Sequence, residues 1–396
     1  MAVSKERRKR KATRPAALKV GPRGFWPMTD DGIPVVTQSM VSTFTDCPRE
    51  VYYGTVLGLR PRIEAKPLTR GTWVHALLEE RANGRDWVEK HNEIYEEHSA
   101  NQFMEEVDEL ETEVYNIMSS YDWVYRNDNW TVIAAELTVE RPIFRGAALY
   151  RGRIDLIIMD EHGDVWLVDH KTHRTFPEWQ YRELSFQHYS YLWACRKAPE
   201  YLALRHNGKP LPPPKGFIYD YCKTGSINTP TLRKDGKISR SLKPSGTTLP
   251  VFLEWLREQG MLTTIKGKNL LAIEDEEERA YVEEFIQELE HKDYNFFFRR
   301  DYMEFSQEQQ TRQLKMFLAS ARRMLKYKWD DPDTIERGAH AGFKCRYQDL
   351  SVADLMHGTS EIEQRTRYVA TRDPLDYYPA QTKRKRAEAA KAARRG

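Results

Sequence analysis

The 396-residue chain is 40% hydrophobic and 12% aromatic, enough for packed cores, which excludes global disorder; its length is that of two or three domains. No apolar run approaches the roughly 18 residues of a membrane span, and no apolar signal-peptide segment follows the basic N-terminus, so a cytoplasmic protein without a membrane partner is expected. The net charge of +3 conceals an asymmetry: residues 1–24 carry +8 and residues 383–396 carry +6, leaving −11 on residues 25–382, so a polyanion must be held by local patches or by the ends.

Residues 1–24 and 383–396 read as basic, disordered arms. Between them, "QSMVSTFTDCPREVYYGTVLGL" (38–59) has helical spacing, and "RGTWVHALLEERA" (70–82) starts a second helix with Thr72 as its N-cap. An acidic helical stretch runs through 103–121. The β-branched, alternating segment 130–144 reads as a strand, followed by two more in 152–172. Residues 178–198 read as a helix, 215–222 as a strand and the Gly/Pro-punctuated, basic piece 233–248 as a loop. From 249 to 327 the pattern is mostly helical, with a strand near 295–305. No GxxxxGK[ST] motif is present, so no ATPase of its own is expected. The four cysteines, Cys47, Cys195, Cys222 and Cys345, lie far apart with no CxxC pair, as suits reduced cytosolic thiols.

The stretch "GRIDLIIMDEHGDVWLVDHKT" (152–172) carries the chemistry. Its simplest turn is a three-residue loop, Glu161-His162-Gly163, with Gly163 left-handed. That register pairs Asp160 with Asp164 and therefore Asp155 with Asp169, their Cβ atoms roughly 4.5–5.5 Å apart on one face. Lys171 shares the face, because side chains alternate along a strand. Facing carboxylates repel unless a cation lies between them, and a magnesium ion accepts one or two carboxylates and completes its shell with water and phosphate. A solvated surface Asp–Lys pair is the alternative reading of the tripeptide alone.

The order GxID, then DxK after a hairpin, then QxxxY on the next helix, here "GRID" (152–155), "DHK" (169–171) and "QHYSY" (187–191), resembles the RecB-like branch of the PD-(D/E)XK nucleases. "SMVSTFTDCPREVYYGTVLGL" and "LTRGTWVHALLE" are similar to that branch's two N-terminal helical motifs, and the likeness spans about 38–222. It implies an α/β fold with a restriction-endonuclease-like core, a mixed sheet flanked by helices, and phosphodiester hydrolysis with Mg²⁺ or Mn²⁺. It also implies that His75, Asp155, Asp169 and the backbone carbonyl of His170 ligate metal, that Lys171 acts on the attacking water, and that Gln187 and Tyr191 orient substrate or Lys171. Read alone, His75 is a packed helix histidine and Tyr191 a core aromatic. The implied organisation is an N-terminal helical region (25–129) contributing His75, a nuclease core (130–225), a basic loop insertion (226–250) and a mostly helical region completing the core (251–382).

Many relatives hold an iron–sulfur cluster on four cysteines. Here Cys47 and Cys345 keep two of those positions while Gly342 and Ser351 stand at others, so no cluster is expected; a zinc site using His340 fits no standard spacing. Candidate phosphate contacts are Arg60, Arg62, the 233–243 loop, Arg299, Arg300, Arg322, Arg323, Lys326 and Lys328, and Tyr52, Tyr53 and Trp73 are candidates for stacking on bases or for core packing. The expected function is a metal-dependent DNA exonuclease acting on ends in recombination or repair, of a kind that phages also use. The rivals are a structure-selective endonuclease, a silent DNA-binding module, and an accessory subunit working with a helicase or single-strand-annealing partner.

Overall fold

The computed structural model describes residues 26–62, 64–99, 104–265, 268–338 and 345–370; the basic ends, His340 and Gly342 lie outside them. In chain order come β1 (Val35–Val36), α1 (Gln38–Asp46), α2 (Pro48–Val51), a π-helical turn (Tyr52–Val56), β2 (Leu59–Pro61), α3 (Lys66–Ala82), α4 (Trp87–Ser99) and α5 (Met104–Val124). The strands β3 (Thr131–Ile143), β4 (Ala148–Met159) and β5 (Val165–His173) follow, then α6 (Trp179–Glu183), α7 (Phe186–Cys195), α8 (Pro199–Leu202), β6 (Arg205–His206), β7 (Lys209–Pro210) and β8 (Gly216–Lys223). The remainder comprises α9 (Leu249–Glu258), β9 (Leu262–Ile265), β10 (Lys268–Leu271), α10 (Glu276–His291), β11 (Phe298–Met303), α11 (Gln307–Leu325), α12 (Gln348–His357), α13 (Glu361–Arg367) and β12 (Tyr368–Ala370).

The principal sheet has the order β1-β4-β5-β8-β11, with β3 also against β4. Pairing is parallel for β1–β4 and β5–β8 and antiparallel for β4–β5 and β8–β11. It is the mixed sheet of an α/β fold flanked by helices. The central strands are apolar on both faces, as strands covered on both sides must be: Ile154, Ile157, Ile158, Leu167, Val168, Phe217 and Ile218 are fully buried. The β4–β5 turn is the one the sequence implies. Asp160 and Asp164 close it, Gly163 sits at φ +83°, and Leu156 pairs with Val168.

The described residues fall into two compact units, one drawn from Met1–Ile63, Glu140–Gly152 and Thr311–Gly396, the other from Glu64–Val139 and Arg153–Gln310. In the first, Tyr53, Leu59, Tyr347, Leu350 and Tyr368 form a core. Arg49 is buried there on Asp354 (2.9 Å) and the Tyr53 hydroxyl (3.1 Å). Cys47 and Cys345 hydrogen-bond to each other beside it, while Cys195 and Cys222 are buried in the second unit. In the second unit, α3 and α5 bury Trp73, Leu77, Val114, Ile117 and Tyr121 against Phe297 and Phe298.

Several elements differ from their expected form. The 38–59 segment breaks at Cys47, whose extended backbone (φ −156°, ψ 97°) ends α1 just before Pro48, and its last residue starts β2. Helix α3 begins at Lys66 rather than at Thr72, because Pro67 is suited to a first helical turn. The 178–198 helix is two helices, since the Ser185 hydroxyl caps α7 by accepting from the Gln187 amide. The β9–β10 hairpin interrupts the 249–327 region, where its four-residue, mostly exposed strands are too short to carry a periodic signal. Tyr53 and Trp73 are core residues, 0% and 1% exposed, and give no surface for bases. Arg300 also leaves the phosphate-contact set, being buried in an internal charge network.

Candidate active site

Four elements of the second unit converge. Helix α3 lies close on β5 because Gly71 has no side chain: a Cβ there would meet the Thr172 Oγ1 at 3.3 Å. His75, one turn further along the same helix face, thereby reaches the strands, with its Nδ1 3.2 Å from the Asp155 Oδ2. Asp155 comes from β4, and the same Oδ2 accepts the His170 backbone N–H at 3.0 Å. Asp169 and Lys171 come from β5, with Nζ to Oδ2 2.5 Å. Gln187, in the first turn of α7, donates to the Asp169 Oδ1 at 2.5 Å. Its amide thus rests on the Asp169 carboxylate. Tyr191 is one turn further on, buried and facing the Phe217 ring at 6.3 Å.

Charge balance follows from this geometry. For His75, burial opposes protonation, but the Asp155 carboxylate outweighs it and raises the pKa. For Asp155, burial raises the pKa while His75, His170 and Lys171 lower it further, so the carboxyl is held well below its usual range. Asp169 is shifted upward, by burial first and then by Asp155, against the pull of Lys171. Lys171 is raised, since Asp169 and Asp155 overcome its burial. Each acid thus has a basic partner, His75 on Asp155 and Lys171 on Asp169.

The family profile of the PD-(D/E)XK nuclease superfamily matches residues 35–290, more than half of the chain. The chain belongs to the PD-(D/E)XK nuclease superfamily. No curated protein matches this superfamily member. Among solved structures, an exonuclease candidate from Eubacterium rectale aligns over 82% of this chain and 93% of its own, with 11% identity and a TM-score of 0.35. The structure of SSO0001 aligns over 48% of this chain and 62% of its own, with 15% identity and a TM-score of 0.22.

Enzymes of the superfamily use a divalent metal ion, and the donor set here suits one. Two carboxylates beside an imidazole are donor types that such a cation accepts. Among the described residues no three His, Cys, Asp or Glu side chains are already gathered as a metal would hold them; His75 and Lys171 lie on the acids instead.

Further buried acids of this PD-(D/E)XK protein stand near these residues, and sequence reading missed them. Glu136 is held in β3 at φ +53°, its carboxylate 2.8 Å from the Arg153 Nε. Burial, with Asp155 and Glu79 adding repulsion, pushes its pKa up to about 7 despite Arg153. Glu79 stands one turn beyond His75 on α3 and is buried, a spacing visible in the sequence. Asp220 on β8 pairs with His170 across the parallel ladder, its Oδ2 3.3 Å from the imidazole Nδ1. It also accepts from the Tyr121 hydroxyl and meets the Arg300 Nε at 3.4 Å. Burial opposes its charge, but Arg300, then His170 and Tyr121, lower its pKa to about 2. The clue that exposed Asp155 and Asp169, an acid interrupting an apolar strand, was equally present in "FIYDYC".

Proposed function

We propose that this protein is a divalent-metal-dependent DNA exonuclease of the RecB-like branch, hydrolysing phosphodiester bonds from DNA ends. The observation that carries the reading is the register of β4 and β5. Carried one step past the Leu156–Val168 pair, it aligns Asp155 with Asp169, and Lys171 shares the face of Asp169, which supports a phosphate meeting both acids and the ammonium there.

His75, Asp155, Asp169 and the His170 carbonyl are the residues that would hold Mg²⁺ or Mn²⁺, which when bound supplies Lewis-acid polarisation of a phosphate oxygen and a more acidic water. Lys171 places its ammonium beside the attacking water and the charge that grows on the phosphate. Gln187 fixes the rotamer of Asp169, and the His170 N–H fixes that of Asp155. Anchoring of this kind keeps reacting groups within the fraction of an ångström that catalysis demands.

The test is digestion of matched linear and covalently closed circular DNA with Mg²⁺, with EDTA and Asp169→Ala as controls. Loss of the linear form alone, abolished by EDTA and in the variant, is the expected result. Cutting of the circle would point to an endonuclease, and activity surviving Asp169→Ala would remove this site from the reaction.

A further inference from the structure

The first unit brings together two thiols from near opposite ends of the chain. Cys47 and Cys345 both belong to it, and one thiol rests on the other as a hydrogen-bonded pair. Each sulfur is also held from its own side. The Gly338 amide donates to the Cys47 Sγ at 3.3 Å, and the Tyr347 amide to the Cys345 Sγ at 3.4 Å. The Gly338 contact needs glycine: a Cβ there would stand 1.9 Å from the Asp46 carbonyl oxygen and 3.1 Å from the Cys47 Cα. The same passage of chain is fastened to α2, where Arg49 donates through its amide to the Glu336 carbonyl and through its guanidinium to that of Pro332. Neither cysteine lies inside a helix or strand. Cys47 is the extended junction between α1 and α2, and Cys345 precedes α12, so a rotation about χ1 changes the sulfur separation without unwinding either helix.

The contacts also divide the work between the two sulfurs. The Cys345 thiol lowers the Cys47 pKa, and the Gly338 amide adds to this against burial, while Cys47 and then burial push that of Cys345 up. Cys47 is therefore the sulfur that gives up its proton, and thiolate rather than thiol is the reactive form. Cys345 is partly exposed, so a water-sized reagent reaches the pair from its side. The other two cysteines are a built-in contrast. Cys195 and Cys222 are 0% and 1% exposed, burial raises the pKa of each, and buried thiols of this kind are inert. The carboxyl of Glu50 also rests on the Cys345 thiol. Two sulfurs and one carboxyl do not make a metal cage here: among the described residues no three His, Cys, Asp or Glu side chains are gathered for one. What the pair is suited to is joining sulfur to sulfur.

We propose that Cys47 and Cys345 are a redox modification site, a reversible disulfide closed by a hydroperoxide and reopened by small thiols. The Cys47 thiolate attacks one peroxide oxygen and the O–O bond breaks; that oxygen stays on sulfur as a sulfenic acid, and the other leaves as hydroxide, which takes up a proton to become water. The Cys345 sulfur then attacks the sulfenic sulfur, forming the S–S bond and breaking S–O, and its proton leaves with the hydroxyl as a second water. Two thiols are oxidised and one peroxide is reduced. Two molecules of a small thiol reverse the change by exchange and depart as their own disulfide. In a reducing cytosol such bonds are transient and report oxidants. The closed form ties the α1–α2 junction covalently to the chain entering α12. The inference does not depend on the nuclease reading.

The experiment treats the folded full-length chain with hydrogen peroxide, blocks the remaining thiols by alkylation, and maps the peptides without reduction. Wild-type protein should lose two of its four thiols. One linked peptide pair should carry Cys47 and Cys345 and lack two hydrogens, and the monomer should migrate faster in a non-reducing denaturing gel. Dithiothreitol should reverse all three changes. The bond closes a loop of about 300 residues, so the oxidised form should also unfold at a higher urea concentration. Cys345→Ser should give no linked pair and leave Cys47 as a sulfenic acid that dimedone captures. A Cys195→Ser/Cys222→Ser double variant should still form the bridge. Four thiols surviving in wild type, a bridge between two molecules, first loss at Cys195 or Cys222, or bridging only after urea is added would each overturn the proposal. So would a metal ion held by both thiolates in the protein as purified.

Discussion

Replacing Arg300 by methionine tests the charge network behind the site. Arg300 reaches the Asp220 Oδ1 through Nε at 3.4 Å and holds Asp128 through both terminal nitrogens at 2.9 and 2.8 Å. Its guanidinium also lies 3.5 Å from the Tyr125 ring centroid and 3.7 Å from that of Trp130. The Asp220 carboxyl is held at about 2 against an ordinary 3.8. At about 1.4 kcal/mol per unit, its ionised form contributes about 2.5 kcal/mol at pH 7, a contribution lost only as the pH falls from about 4 toward 2. Arg300 is the largest favourable influence on that carboxyl, so methionine would remove the contribution and leave a fully buried charge short of its main partner. The expected cost is about 3–5 kcal/mol, read as a fall in the urea midpoint at constant m. Adding Asp220→Asn should recover at least about 2 kcal/mol, because the stranded charge goes with it. If Arg300→Met costs under about 1 kcal/mol, or if the two changes simply add, the network does not work in this way.

Two further outcomes concern stability elsewhere. Gly216 opens β8 where a Cβ would stand 2.4 Å from the Met303 carbonyl oxygen and 2.6 Å from the Trp166 ring; Gly216→Ala should cost about 1–3 kcal/mol by overpacking, and an unchanged melting temperature would refute the contact. His188 is buried on Phe305 with its Nδ1 3.0 Å from the Tyr219 hydroxyl, and burial lowers its pKa to about 3. The unfolded chain gains a proton below about 6.5 that the folded chain refuses, so stability falls with pH, by about 2 kcal/mol for this residue between pH 7 and 5. His188→Phe should flatten that drop in urea titrations at the two pH values; an identical drop in the variant would discount the residue.

The sequence announced some features and concealed others for definable reasons. The hairpin was legible because both of its determinants are local: the length of the turn fixes the register, and the register fixes which acids face each other. His75 was reachable only through resemblance, since nothing in "GTWVHALLEE" says that a glycine one turn earlier lets α3 close on β5. Glu136 was hidden because a single residue of positive φ redirects its side chain. Arg300 was misread because its partners, Asp128 and Asp220, are 172 and 80 residues away in the chain, and an arginine paired over that distance looks the same in sequence as one waiting for phosphate. The break at Ser185 was open to view as a serine capable of capping; its helical surroundings on both sides masked it.

The three-residue turn at Glu161-His162-Gly163 has a bearing on how this chain can be altered. It is exposed and far from any reacting atom, the kind of place where insertions are usually accepted. Here the number of residues in the turn matters more than their kind. One residue more or fewer would advance β5 by half a pleat, sending Asp169 and Lys171 to the opposite face while the apolar strands, buried on both sides, could still pack. Length variants of this loop should therefore fold and yet lose the facing acids, whereas substitutions that respect the glycine should pass unnoticed. A tag, a linker or a split point belongs elsewhere in this molecule, and in drift among its relatives this loop should change letters without changing length.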